Sequence, residues 1–301
     1  MAKPLIKWVG GKTQLLPQIT AKLPKFVQNG EPYIYVEPFV GGGSVALHLL
    51  DIQTNPNPPK KAIINDINSD LVNLYEVIKN KPSPLLDELK SIQSDYDKLL
   101  DKESKKPYFY EKRALFNTRK SSNIEQASLF VFLNRAGFNG LYRVNNKNEF
   151  NVPIGSYKRP IFVFEELIYQ VSELLQNVII LNDDYQHTLK EVQKLNTDNL
   201  PVLFYFDPPY KPISETASFT AYATNDFNDS HQVELANFCK KIDALGYHWI
   251  ASNSDPKNTD VNNHFFDELY QGFEIKRVKA ARSINSNSAK RGQISEVLMR
   301  N

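Results

Sequence analysis

Apolar positions along the chain follow two rhythms. Residues 177–181 (Asn-Val-Ile-Ile-Leu) and 201–206 (Pro-Val-Leu-Phe-Tyr-Phe) are continuous apolar runs, the pattern of strands buried on both faces of a parallel sheet. Tyr33-Ile34-Tyr35-Val36 and Ala62-Ile63-Ile64-Asn65 read as two further strands, and Trp249-Ile250-Ala251, residues 273–278 and residues 294–298 as three more. Between them lie helical spacings. A helix over residues 44–50 follows a glycine loop. Asn68 or Ser69 caps a second helix, whose apolar positions Leu71, Leu74, Tyr75 and Ile78 recur every three or four residues. A third covers residues 232–245, with Gly246 after it. Strands alternating with helices predict an α/β fold with a mostly parallel sheet.

The stretch from about Lys79 to Pro160 breaks that alternation. It opens with helical patterns: Leu85, Leu86, Leu89, Ile92 and Tyr96, then residues 108–116, then 125–135. A Gly/Asn-rich segment follows, in which Tyr142-Arg143-Val144 and Glu149-Phe150-Asn151-Val152 flank Asn145-Asn146-Lys147-Asn148. That arrangement predicts a β-hairpin with an Asn-rich turn. The expected division is one domain made of residues 1–69 and 164–301, and an inserted helical and hairpin module over 70–163.

The 301 residues are 41% hydrophobic, 12% aromatic and 23% charged, which excludes disorder, collagen and coiled coil. The net charge of +2 hides a strong asymmetry. Residues 105–160 hold eleven Lys or Arg against three Glu, and residues 276–301 hold seven against one, so the rest of the chain carries −12. Such a distribution suits a polyanion on one side of the molecule; the alternative is a pair of solvated faces. Cys239 stands alone, so no disulfide framework or Cys-rich zinc site is available within the chain. The five histidines (48, 187, 231, 248, 264) show no metal-binding spacing, and no metal is expected. Leu129-Phe130-Val131-Phe132-Leu133 is too short to span a bilayer. Met1-Ala2-Lys3-Pro4 does not open a secretory signal. A cytoplasmic location follows as the expectation.

Three motifs carry chemistry. Gly41-Gly42-Gly43, after a strand and before a helix, is a cradle where a ligand can approach the backbone. Asp66 lies 23 residues after Gly43, the spacing of an acid that binds ribose hydroxyls from the end of the second strand. Glu37 either hydrogen-bonds the ligand or caps the turn. Gly10-Gly11-Lys12-Thr13 tempts a phosphate-loop reading, but that pattern needs glycine where the chain has Ile6. The third motif is Asp207-Pro208-Pro209-Tyr210, at the carboxyl end of a buried strand. Its prolines remove two N–H donors and leave carbonyl acceptors beside a carboxylate and a flat ring. A pocket poor in donors, with a stacking face, suits the exocyclic amine of a base. Asp207 and the Pro208 carbonyl would take its two hydrogens while Tyr210 stacks on the ring. Holding those hydrogens out of plane favours a tetrahedral nitrogen whose lone pair can attack an electrophile.

These residues, taken in order, resemble the DNA adenine-N6 methyltransferases of the Dam type, the GATC-modifying group that includes restriction-companion enzymes. The resemblance runs nearly end to end. It is carried by Lys7-Trp8-Val9-Gly10-Gly11-Lys12, by Val36-Glu37-Pro38-Phe39-Val40-Gly41-Gly42-Gly43-Ser44 and by Asn65-Asp66-Ile67-Asn68. Residues 134–143 (Asn-Arg-Ala-Gly-Phe-Asn-Gly-Leu-Tyr-Arg), Glu149-Phe150-Asn151-Val152-Pro153, Asp207-Pro208-Pro209-Tyr210 and residues 214–220 complete it. It implies a Rossmann-like methyltransferase sheet and S-adenosylmethionine as methyl donor, with Trp8, Lys12, Asp66 and Asp207 as the cofactor-contacting set beside Gly41, Gly43 and Glu37. It also implies double-stranded DNA as partner and base flipping, because adenine N6 cannot be reached within a stacked duplex. The inserted module becomes the target-recognition domain. Lys7 would read one outer guanine and Arg143 the other. Leu141 and Pro153 would touch a thymine methyl, Phe138 would wedge into the stack, and Asn139 would face the orphan thymine. The family often places Tyr at position 138; Phe keeps the stacking face and loses a hydroxyl contact. Arg119, Lys120, Arg135, Lys147, Lys158 and Arg159 are expected as phosphate contacts or solvated charge. A restriction endonuclease acting on the same site would be a functional partner without physical contact.

Rival readings leave motifs without a role. An NAD-dependent dehydrogenase would use the glycine loop but not Asp207-Pro208-Pro209-Tyr210 or the basic hairpin. Methylation of RNA or protein amides usually employs a motif beginning with Asn. A DNA-binding module without activity would leave the cofactor motifs idle. Cys239 lies outside every motif, and transfer needs no covalent enzyme intermediate.

Overall fold

The structure, a computed structural model, describes residues 2–212, 227–281 and 293–301, without the side chains of 280, 281 and 293. A 3-10 turn at Lys12–Gln14 and two short helices, α1 (Leu16–Thr20) and α2 (Lys25–Gln28), lead into β1 (Ile34–Glu37), α3 (Ser44–Leu50), β2 (Lys61–Asn65) and α4 (Ser69–Asn80). Three helices follow, α5 (Pro82–Asp97), α6 (Lys102–Thr118) and α7 (Asn123–Ala136), then a tight turn at Phe138–Gly140. Alternation resumes with α8 (Glu165–Leu175), β3 (Val178–Leu181), α9 (His187–Leu195), β4 (Val202–Phe206), α10 (Asp229–Ala244), β5 (His248–Ser254), α11 (Phe265–Leu269), β6 (Glu274–Ala281) and β7 (Gln293–Arg300).

The strands form one seven-stranded sheet in the order β3-β2-β1-β4-β5-β7-β6, parallel from β3 to β5, with β7 antiparallel to both β5 and β6. The central parallel strands β1 and β4 are wholly buried and mainly apolar because both faces are covered. Tyr33, Tyr35, Ile64, Leu203, Tyr205 and Ile250 pack on one face with the helices of residues 69–175. Ile34, Val36, Ile63, Phe204, Phe206 and Trp249 pack on the other with α9, α10 and α11. The strand order reverses between β1 and β4, so the loops after them open the crevice where α/β sheets bind ligands.

The helices of the inserted stretch share one core with the first sheet face. Leu85, Phe109, Phe116, Phe130 and Phe132 belong to the same buried cluster as Tyr35 and Tyr205. The hairpin is reduced from what the sequence predicts. Among the described residues it shows two isolated antiparallel bridges, Gly137 to Ile154 and Val144 to Phe150, rather than a ladder. The reason is competition for backbone groups. Asn117 of α6 donates to the Phe150 carbonyl at 3.1 Å and accepts its N–H at 2.8 Å, and Arg113 donates to the Val152 carbonyl. Among the described residues, no helix is long and apolar enough to cross a membrane.

Candidate active site

The C-terminal ends of β1, β2 and β4 each deliver a carboxylate. Glu37 ends β1, is buried, and accepts from the Tyr35 hydroxyl at 2.7 Å and from the Ala46 N–H of α3. Burial, with the charge of Asp207 beside it, raises its pKa well above the carboxylate range. Those hydrogen bonds tie the strand to the helix after the glycine loop. Asp66 follows β2, stays partly exposed, and accepts the N–H of Gly41 at 3.0 Å and of Asn68 at 2.9 Å. Burial pushes its pKa up to about 6 against those hydrogen bonds. The glycine loop takes its shape from Gly41 (φ +48°) and Gly43 (φ +74°). A Cβ at Gly41 would lie 2.8 Å from Trp8 Nε1, and one at Gly43 would lie 2.6 Å from the Tyr75 hydroxyl. Trp8 lies over the loop and stacks on Tyr142 with centroids 5.6 Å apart, while Tyr75 donates to the Gly41 carbonyl.

Asp207 follows β4. Lys12, only 4% exposed, brings its Nζ to 2.8 Å from Asp207 Oδ1 and sits over the Tyr210 ring at 4.5 Å from its centroid. Burial raises the Asp207 pKa, and the Lys12 ammonium and the Ser252 hydroxyl, which donates to Oδ1 at 3.1 Å, oppose that rise. Tyr210 donates its hydroxyl to Glu296 of β7 at 2.7 Å. The loop is held from two sides: Gln232 of α10 donates to the Pro209 carbonyl at 3.0 Å, and Asn253 of β5 accepts the Lys211 N–H at 3.0 Å. Ser252, Gln232, Asn253 and Glu296 were not read from the sequence. The run Ser252-Asn253-Ser254 was the available signal: three polar residues close a strand that begins apolar, at the sheet edge where ligands bind. Gln232 and Glu296 gave none.

The residues expected to read bases lie on the N-terminal segment, the turn after α7 and the hairpin. Asn134, wholly buried, accepts the Lys7 N–H and donates to the carbonyls of Lys7 and Gly140, each at 2.8 Å. Lys7 is exposed, and its Nζ meets the Tyr157 hydroxyl at 3.1 Å. Phe138 is 49% exposed, and its N–H is held by the Pro153 carbonyl at 2.8 Å. Asn139 and Pro153 are exposed and Leu141 is half-buried. Arg143 is exposed and donates to Asn151 across the hairpin at 2.7 Å. Residues 214–220, read as the loop after the catalytic motif, lie outside the described residues.

Two of the six expected phosphate contacts are internal instead. Arg119 pairs with buried Asp70 at 2.6 Å, donates to the Asn148 carbonyl and covers the Phe116 ring. Asp70 also accepts the Tyr142 hydroxyl at 2.7 Å, so one carboxylate holds both sides of the hairpin. Arg135 donates to the Leu5 carbonyl and stacks over Phe164. Lys120, Lys147, Lys158 and Arg159 are exposed. The C-terminal basic surplus is also partly cancelled, because Arg277 pairs with Asp255 and Asp267, and Arg300 with Glu274. Among the described residues, no group of His, Cys, Asp and Glu could hold a metal ion.

A mostly parallel sheet with a glycine loop after β1, an acid after β2 and Asp-Pro-Pro-Tyr after β4 defines a Rossmann-like methyltransferase. Residues 8–284 match the model of the D12 class N6 adenine-specific DNA methyltransferases, and the chain belongs to that family. It is 44% identical over 302 residues to the type II methyltransferase M.MjaIII of Methanocaldococcus jannaschii, covering 99% of each chain. It is 36% identical to M1.LlaDCHI of Lactococcus lactis subsp. cremoris, covering 99% of this chain and 95% of the relative. With the DNA adenine methylase of Escherichia coli (strain K12) it shares 36% identity, covering 98% of this chain and 94% of the relative. The protein is thus an enzyme that methylates adenine N6 in DNA.

Proposed function

We propose that the chain transfers a methyl group from S-adenosylmethionine to N6 of a flipped-out adenine in duplex DNA, within GATC. The single observation that carries this reading is the cluster at the end of β4, where Asp207, Lys12, Tyr210 and Ser252 converge. The donor fits on the chemistry of the residues present. Asp66 and Asp207 are partly exposed carboxylates on either side of the glycine loop, suited to ribose hydroxyls and to a positively charged ligand. When bound, that group supplies a methyl on a positively charged sulfur. Trp8, Lys12, Gly41, Gly43 and Asp66 would hold it.

The rest is the work of the chain's own residues. Asp207 and the Pro208 carbonyl accept hydrogen bonds from the two N6–H groups, the Tyr210 ring stacks on the base, and the nitrogen sheds one of those protons to solvent once the methyl has left sulfur for it. Lys12 opposes the rise that burial imposes on the Asp207 pKa, because a cation at 2.8 Å favours the charged form. Residues 70–163 act as the recognition domain. Lys7 and Arg143 supply donors for the outer guanines, Leu141 and Pro153 touch a thymine methyl, Phe138 wedges into the stack and Asn139 fills the space beside it. The GATC assignment rests on the resemblance of these residues to the Dam-type set. Likeness to two type II methyltransferases supports pairing with a restriction endonuclease of the same specificity.

The test is Asp207→Ala. Transfer of labelled methyl to duplex DNA should fall below about a hundredth of wild type while duplex binding persists. Turnover above that level would contradict the role given to the carboxylate.

A further inference from the structure

Pro208 and Pro209 leave the loop after β4 with few donors of its own. Its backbone is fixed instead by two amide side chains from separate elements. Gln232 of α10 and Asn253 of β5 are each 1% exposed. The Lys211 N–H donates to Asn253 Oδ1 at 3.0 Å, Asn253 Nδ2 donates to Gln232 Oε1 at 3.0 Å, and Gln232 Nε2 donates to the Pro209 carbonyl at 3.0 Å. Each amide's orientation is dictated by its neighbour in this chain, so neither can flip without leaving a buried polar group unpaired. Ser254 adds a bond from its hydroxyl to the Lys211 carbonyl at 2.6 Å. The anchored groups are the carbonyl immediately before Tyr210 and the peptide groups immediately after it. At the far end of the same side chain, the phenol is held by Glu296.

We infer that Gln232 and Asn253 are positioning residues that set the plane of the Tyr210 ring and, through it, the angle at which the stacked base meets Asp207. This rests on the reading of Asp207-Pro208-Pro209-Tyr210 as the motif that holds the base. Neither amide touches the reacting atoms, so the effect falls on turnover rather than on binding of DNA.

The experiment uses the full chain, S-adenosylmethionine and two duplexes. One is the GATC duplex for kinetics; the other carries 2-aminopurine at the target adenine. Gln232→Glu keeps the side-chain volume but sets an acceptor against the Pro209 carbonyl, and Gln232→Leu removes the bond. Both should lower kcat by about 100-fold, the loss expected of a misplacement near 1 Å, with KM for DNA within about threefold of wild type. 2-Aminopurine emission in the complex should rise above wild type as stacking on Tyr210 loosens. Wild-type kcat in both variants, a loss expressed only in KM, or unchanged emission would overturn the inference. Should neither variant fold, amide exchange in the wild-type chain decides. The Lys211 N–H should exchange as slowly as those of β4, and rapid exchange would overturn the inference. Asp207→Ala separates the two levels. If it turns over normally, the reading of the motif itself fails; if it is inactive while both Gln232 variants match wild type, only the positioning role fails.

Discussion

Asp66 is the residue whose behaviour should depend most on pH. Its pKa of about 6 means that it carries a proton below that value and is ionised above it. In the proposed role ribose hydroxyls would donate to the ionised form, so affinity for S-adenosylmethionine should fall as pH drops through 6, approaching tenfold per pH unit. Calorimetric titration between pH 5 and 8 checks this; an Asp66→Asn variant should be weak and flat across the range, and a flat wild type would contradict the role. At the same scale, Arg143→Ala should relax discrimination at one outer base pair by about 1–3 kcal/mol, measured as kcat/KM on GATC and on single substitutions of it. An equal loss on every duplex would mark Arg143 as a phosphate contact. That the glycine loop, Asp66 and Asp207 meet at the carboxyl end of the sheet was legible because their types and spacing are unusual: Asp66 after Gly43, and Asp207 before two prolines. Gln232 and Glu296 were not, because a single polar residue in a helix or edge strand looks the same in sequence whether it faces solvent or a loop backbone. Arg119 misled for the opposite reason. It sits in a basic segment, but its partner Asp70 lies 49 residues away in the chain.

At the scale of elements, the parallel strands were readable from their continuous apolar runs, and α3, α4, α5 and α7 from their spacing and caps. Asn68 caps α4 by accepting from Asp70 and Leu71. The start of α6 was hidden by Pro107, which lies inside the helix. Asp101 nevertheless caps it from Ser104, and the buried Phe109 and Phe116 draw its inner face against α7. The helices α8 and α9 went unread although α8 carries Ile168, Val171 and Leu175 at helical spacing on its buried face. The hairpin was legible as a turn but not as a loose one, because the side chains of Asn117 and Arg113 that replace its ladder belong to another element. Its placement depends on Asp70 and Asn134. Asp70→Ala would leave Tyr142 and Arg119 without their buried acceptor, at a cost of about 1–3 kcal/mol for each donor left unpaired. Denaturant unfolding should register that loss, and a change under about 0.5 kcal/mol would show that the hairpin is held by packing alone.

For the whole molecule, the asymmetry of charge survives in part. Lys7, Lys120, Arg143, Lys147, Lys158 and Arg159 are exposed within or beside the inserted stretch, whereas several other basic residues are neutralised internally. If about four of them neutralise phosphates, duplex affinity should fall about 100-fold between 50 and 200 mM salt. A flat response in a fluorescence-anisotropy titration would remove the electrostatic account of this face. In the proposed reaction Asp207 and Tyr210 present an adenine amine to a methyl donor at a specific site. Single-molecule sequencing of plasmid DNA, treated with the purified chain and S-adenosylmethionine, reads the modified base and its context together. N6-methyladenine at GATC, absent after treatment with Asp207→Ala, is the predicted result. Methylation by the Asp207→Ala chain at the same sites, or modification confined to another base or sequence, would contradict it.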